Sequence, residues 1–234
     1  MKTLVRILLA PIVWLFQACS PLGKPVDLDK SDNFYFNKSK TDIIYSSMGN
    51  WFELGKAPLN ADVESFVVLN KHIGKDKNSA YYREHAITDP NLDLESFRAS
   101  QEDWMWHIGM DKNRVYSLSH DVVDGEWKLI TKIIEGADPN TFRQYESNWS
   151  KDGSKHFYNH KALAVDYDSF EIVNKFFAKD KDSVYVYFYP GRFKSIEAES
   201  ATLQVIDDYY IRDTDNIFFF QDYLRREETN ILTA

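Results

Sequence analysis

The chain is poor in cysteine, glycine and proline, with one, nine and seven among its 234 residues. A single cysteine, Cys19, rules out an internal disulfide, so packing and hydrogen bonds alone must hold the fold. The nine glycines form no glycine-rich phosphate cradle. A surplus of positive charge is missing as well: the formal net charge is −8. That acidity argues against nucleic acid, whose phosphates need a basic footprint, and against docking on anionic lipid by charge. The apolar run Ile7 to Phe16 holds about ten residues, half of what a membrane-crossing helix needs. What the chain has instead is rings, at 15% of its residues, which together with valine and isoleucine favour strands.

The first residues have the layout of a secretory signal. Lys2 and Arg6 open it, Ile7 to Phe16 is its greasy segment, and small Ala18 precedes Cys19. Phe16-Gln17-Ala18-Cys19 resembles the lipobox of bacterial lipoproteins, although Phe16 replaces the usual aliphatic residue and Gln17 is atypical. The resemblance implies cleavage before Cys19, acylation of its thiol and amine, and attachment to a membrane through acyl chains. Ser20 stands where that class carries an aspartate for inner-membrane retention, so an outer-membrane anchor is implied, facing the periplasm or the exterior. Loss of Lys2 and Arg6 with residues 1–18 moves the net charge from −8 to −10. Residues 19–31 read as a solvated tether, 32–224 as the folded domain and 225–234 as a tail.

One phrase recurs along the domain: an acidic residue, two spacers, a hydroxyl residue, an apolar anchor, and a second aspartate ten residues later. It runs Asp62–Ser65–Phe66 to Asp76, Asp138–Thr141–Phe142 to Asp152, Asp166–Ser169–Phe170 to Asp180, and Glu199–Thr202–Leu203 to Asp213. A fifth copy, Asp93–Ser96–Phe97 to Asp111, carries four extra residues, and Ile43-Ile44-Tyr45 reads as a truncated leading copy. Constant internal spacing signals an array of small units. The first acidic residue caps free backbone N–H groups of a turn, and the ring behind it anchors that turn in a core. Runs such as Lys75-Asp76-Lys77-Asn78 then make the hairpin turn, because Asx side chains bond nearby backbone. Aromatic strands follow, among them Ala80-Tyr81-Tyr82 and Val184 to Tyr189. The expected fold is all-β with short helical turns, an array of about five antiparallel hairpin units.

Lys75–Tyr82, Gly136–Phe142 and Ala178–Tyr185 carry the strongest likeness to a known family. They resemble the DKNYY family of bacterial repeat proteins, over roughly residues 38–220. Gly153-Ser154 and Thr214-Asp215 depart from the motif without changing the spacing. The resemblance implies a repeat fold and little about activity, since the family has no established catalytic role.

The repetition breaks at Arg98–Met110, which contains Trp104, Trp106 and His107, and again at Ser117–Glu135. The second break holds Val122-Val123-Asp124-Gly125-Glu126-Trp127, whose Asp-Gly pair between apolar residues predicts a hairpin. Two readings stay open for the tryptophans. Trp104 and Trp106 share one strand face by period two and can be core. Insertions in arrays also fall on partner-facing sides, where tryptophan is favoured, which makes Trp104, Trp106, His107 and Trp127 candidate contact residues.

Other motifs carry less. His156 and His160 would need a carboxylate to hold a metal. The Asp-x-Asn turns have lysines inside any calcium ligand set and lack the bidentate glutamate. Ser119-His120-Asp121 holds the residue types of a triad, but adjacency in sequence does not supply the geometry. No catalytic set, resident metal or cofactor is therefore expected. The expected function is non-enzymatic presentation of a surface to a protein or peptide, inhibitory or immunity-like in its most specific form. The alternative is a glycan-binding or glycan-cleaving envelope protein, with Glu95 and Glu102 as paired carboxylates.

Overall fold

The structure, a computed structural model, describes residues 20–102, 105–146, 148–188 and 191–221. It is β almost throughout, in six small antiparallel sheets. Backbone contacts divide the chain into two compact units, one ending at Ile133 and the other beginning at Ile134.

The first unit holds three four-stranded sheets. The first has β1 (Leu22–Pro25), β2 (Phe34–Asn37), β3 (Ile43–Tyr45) and β4 (Ala57–Pro58). The second has β5 (Val67–Val68), β6 (Ile73–Lys75), β7 (Ala80–Tyr82) and β8 (His85–Ala86). The third has β9 (Arg98–Ala99), β10 (Ile108–Met110), β11 (Val115–Val123) and β12 (Glu126–Ile133).

In the second unit the fourth sheet has β13 (Arg143–Glu146), β14 (Trp149–Lys151), β15 (His156–Tyr158) and β16 (Lys161–Ala162). The fifth has β17 (Glu171–Ile172), β18 (Phe177–Lys179), β19 (Val184–Phe188) and β20 (Arg192–Ile196). The sixth has β21 (Gln204–Val205), β22 (Tyr210–Arg212) and β23 (Ile217–Phe219). All six are meanders, in which strands adjacent in sequence are adjacent in the sheet.

Period-two alternation explains how the sheets cohere. In the second sheet Val68 and Tyr81 pack with Phe34, Ile43 and Tyr45 of the first. Ile73, Ala80 and Tyr82 pack instead with Ala99, Tyr116 and Leu118 of the third. The fifth sheet repeats this. Its Ala178, Tyr185 and Tyr187 join Trp149 and Tyr158 of the fourth, while Phe177, Val184 and Val186 join Ile211 of the sixth. Each fully buried ring or branched side chain contributes about 1.5–3 kcal/mol. A sheet with two apolar faces is stable only when both are covered.

The recurring aspartates tie each hairpin to the turn before it. Asp111 Oδ1 accepts from the N–H groups of Asn113 (2.7 Å) and Arg114 (2.8 Å). Its Oδ2 accepts from the Asp93 N–H (3.0 Å) and the Tyr116 hydroxyl (2.7 Å). Burial alone would raise its pKa, but these bonds hold it below the usual carboxylate value. The same Oδ2 contact with the preceding acidic residue occurs at Asp76, Asp152, Asp180 and Asp213. Tyr81 and Tyr185 donate as Tyr116 does; Phe157 and Phe218 stand at that position in the fourth and sixth sheets.

The first acidic residue works in reverse. Asp62 Oδ1 accepts from the Ser65 N–H and hydroxyl, and Ser65 Oγ accepts from the Lys77 N–H. Lys77 Nζ returns to Asp62 Oδ2 at 2.6 Å. Bonds from Lys77 and Ser65 bring the Asp62 pKa down to about 2. Lys112 and Lys181 close the same ring on Asp93 and Asp166. The lysines inside the turn are thus partners of the first carboxylate, and the turns are structural.

Four features differ from the sequence reading. The expected tether at 19–31 belongs in part to the first sheet: β1 pairs with β2, Val26 packs on the core and Ser31 is buried. The leading copy is a complete sheet and not a truncated one. Asn37 replaces its second aspartate, Oδ1 accepting from the Thr41 N–H (2.8 Å) across a longer loop. Sheets therefore number six where about five units were expected. The units are also meanders rather than lone hairpins, because two-residue strands such as β5 and β8 flank the central pair. Strands that short leave no periodic pattern to read.

Two further devices were not foreseen. Asn70 Nδ2 donates to the Ser100 carbonyl (3.0 Å) and Asn33 Nδ2 to that of Lys71 (2.8 Å), joining successive sheets of the first unit. In the second unit Asn174 Nδ2 donates to the Asp207 carbonyl (2.8 Å). Two of the anchor rings also need a glycine beneath them. A Cβ at Gly74 would lie 2.5 Å from the Phe66 ring, and one at Gly109 would lie 2.6 Å from that of Phe97.

Candidate interaction surface

The second break in the repeat is one continuous hairpin. In the second sheet the ladder between β7 and β8 closes at Tyr82↔His85, and in the fourth, between β15 and β16, at Tyr158↔Lys161. In the third sheet it runs from Tyr116↔Ile133 out to Val123↔Glu126. Asp124 and Gly125 form the tip with φ of 57° and 82°, the left-handed pair that a two-residue hairpin turn requires.

One face of this hairpin passes from core to solvent. Tyr116 and Leu118 are buried, and Leu129 and Ile133 pack against the same cluster. His120 lies opposite Leu129, and beyond it Val122 lies opposite Trp127. Trp127 is 67% exposed and Val122 51%, so the apolar face outruns the core that covers its base. Asp121, Asp124 and Glu126 surround this end, with Lys128 held 3.6 Å from Asp124.

β12 has a second property. It ends the order β12-β11-β10-β9, leaving its outer edge without a strand partner in the sheet. At eight residues it is the longest sheet-terminating strand among the described residues; most others have two. Very short edges are a common protection against unwanted pairing, and β12 lacks it.

The remaining candidate residues fall elsewhere. Cys19 and Trp104 lie outside the described residues. Trp106 is half-buried, its ring 5.4 Å from that of His72 and capped by Lys71 Nζ at 4.5 Å. His72 is held by the Tyr45 hydroxyl, 2.8 Å from Nδ1, and burial pushes its pKa down to about 4. His107 is half-buried, and burial lowers its pKa too. Trp106 thus serves packing as well as surface, whereas Trp127 is surface alone.

Ser119, His120 and Asp121 alternate across β11, which puts the imidazole on the face opposite the other two. His156 is buried between the Tyr167 carbonyl and the Tyr145 hydroxyl, and His160 sits in the turn after β15. Glu95 and Glu102 are exposed on either side of β9.

In the second unit a groove of about 580 Å³ opens over the fourth and fifth sheets. Tyr158, Tyr185 and Phe193 line it together with Lys161, Arg192 and Lys194. Tyr185 and Phe193 are stacked at 4.7 Å. Sequence reading missed this groove because its walls come from strands in two different copies.

These features define an all-β repeat protein whose turns are fixed by paired acidic residues. The family model of the DKNYY family matches residues 35–187, well over half of the chain, and the protein belongs to that family. Comparisons with curated proteins and with solved structures give no match.

Proposed function

We propose that the protein is a non-enzymatic lipoprotein of the bacterial envelope that binds a protein or peptide along β12, with Trp127 as the anchor. The leading segment supports the address: a basic start, a short apolar run and Cys19 after a small residue. The observation that carries the binding reading is a long free edge beside an exposed tryptophan. A partner strand laid along β12 gains main-chain hydrogen bonds, and Trp127 with Val122 gives it an apolar foothold. Asp121, Asp124 and Glu126 favour a partner with positive charge.

The test is recovery of partners from envelope extract with wild type and Trp127→Ala, followed by amide exchange on the purified complex. Loss of the partner with Trp127→Ala and slowed exchange over 126–133 are expected. An identical partner set, or protection confined to other strands, refutes the reading.

The groove in the second unit favours one other reading, the binding of an acidic glycan through stacked rings and three cations. Retention on purified acidic polysaccharide that is lost in Phe193→Ala would select it.

A further inference from the structure

His120 occupies an unusual position on the protruding hairpin. It lies where the face of β11 leaves the core, with its ring 5.4 Å from Tyr82 and 4.8 Å from His85. Its Nε2 is buried and has no hydrogen-bond partner. A buried polar atom left unpaired is costly, and in a native structure it calls for an explanation. Burial lowers the pKa of the ring, with Arg83 and His85 acting in the same direction against Glu84. An imidazole in its neutral form offers a lone pair on one nitrogen.

The side chains around that ring supply the rest of a ligand set. Glu84 in the β7–β8 turn and His85 at the start of β8 each bring one ligand atom within 4.8 Å of the other two members of the trio. His85 Nε2 already stands 3.6 Å from Glu84 Oε1. Ligand atoms around a tetrahedral zinc with bonds near 2.0–2.2 Å sit about 3.3 Å apart, and the trio's atoms here lie 3.6 Å to at most 4.8 Å apart. Among the described residues no other group of three His, Cys, Asp or Glu side chains converges in this way.

We propose that Glu84, His85 and His120 form a binding site for a zinc-class divalent cation, joining the second sheet to the third-sheet hairpin. Two imidazoles and one carboxylate suit Zn²⁺, and three protein ligands leave a fourth position open to water or to a side chain of a partner. The Arg83 guanidinium on the same turn opposes a dication, which makes this an exchangeable site and not a buried structural one. The repeat explains the geometry: the copies pack β7 against β11, and the turn after β7 brings the ring of His85 to within 4.8 Å of that of His120, 35 positions on in the chain.

The test is titration of the full chain with Zn²⁺ by calorimetry, together with Co²⁺ as a spectroscopic stand-in. One Zn²⁺ per chain and visible ligand-field bands of tetrahedral Co²⁺ are expected. His85→Ala and His120→Ala should each weaken Zn²⁺ binding by at least about 100-fold, the upper end of what removal of an outer partner costs. Glu84→Gln should weaken it as well, and His160→Ala should bind as wild type does. His85 is a third exposed, so His85→Ala tests the site in a folded protein, verified by its near-ultraviolet circular dichroism. Absence of Zn²⁺ binding by wild type, wild-type affinity in folded His85→Ala, or an equal loss in His160→Ala overturns the proposal. None of these measurements requires the β12 partner, so the two readings stand or fall separately.

Discussion

Removing the carboxylate of Asp111 tests whether the recurring turn is the main fixed point of the fold. Asp111 is fully buried and accepts four hydrogen bonds, two per oxygen. In Asp111→Ala the Asn113 and Arg114 amides, at the turn, are able to turn to water. The Asp93 amide and the Tyr116 hydroxyl are left inside, at about 1–3 kcal/mol each. With the loss of a charged acceptor, the expected destabilisation is about 3–5 kcal/mol, the range for breaking a buried charged network. Tyr116→Phe should cost only about 1 kcal/mol, because it removes one donor and leaves three bonds to the carboxylate. Phe157 makes that change naturally in the fourth sheet.

Urea unfolding followed by fluorescence gives the energies, and amide exchange at Asp93, Asn113 and Arg114 reports the site directly. The pH dependence has a definite sign. The folded pKa of Asp111 lies below its unfolded value, so the contribution is complete above about pH 4 and is lost as pH falls through the folded pKa. The difference between wild type and Asp111→Ala should therefore shrink in acid. A loss below about 1 kcal/mol at neutral pH, with unchanged exchange at the three amides, would refute the reasoning.

Three further outcomes are expected. Gly109→Ala drives a methyl into the Phe97 ring and should cost about 1–3 kcal/mol in urea unfolding, whereas Gly125→Ala meets no neighbour and is strained only by its positive φ. His72 has its folded pKa pushed down to about 4, so the unfolded chain takes up the proton first. Stability should fall as pH drops from about 6.5 towards that value, and His72→Gln should flatten this part of the profile. Trp127→Ala should change thermal stability by less than about 0.5 kcal/mol, since the ring is mostly in solvent; a larger loss would show that it packs rather than contacts partners.

The repeat was legible because its spacing is imposed by a bond. Asp76 must reach the Asp62 amide, and Asp180 the Asp166 amide, so the interval between the acidic residues recurs along the chain wherever no residues are inserted. The hairpin tip at Asp124-Gly125 was legible for a related reason: only residues tolerant of positive φ serve there. The first sheet was harder to recognise because Asn37 does the work of the aspartate through a different loop. The ties from Asn33, Asn70 and Asn174 were hidden since a side chain reaching another copy leaves no local spacing. Likewise, nothing adjacent in sequence announces that Glu84 and His85 face His120. Interior order was readable from within one copy; what lies between copies was not.

The division of labour between aspartate and asparagine has a consequence for how such proteins change over time. Aspartate satisfies only its own module, while asparagine grips a main-chain oxygen of the next, a group every amino acid provides. Duplication or deletion of a whole module thus asks nothing of the newcomer's side chains at that grip. Chain length is then free to drift among relatives, and novelty gathers where a loop outgrows the common pattern, as it has between Val115 and Ile133.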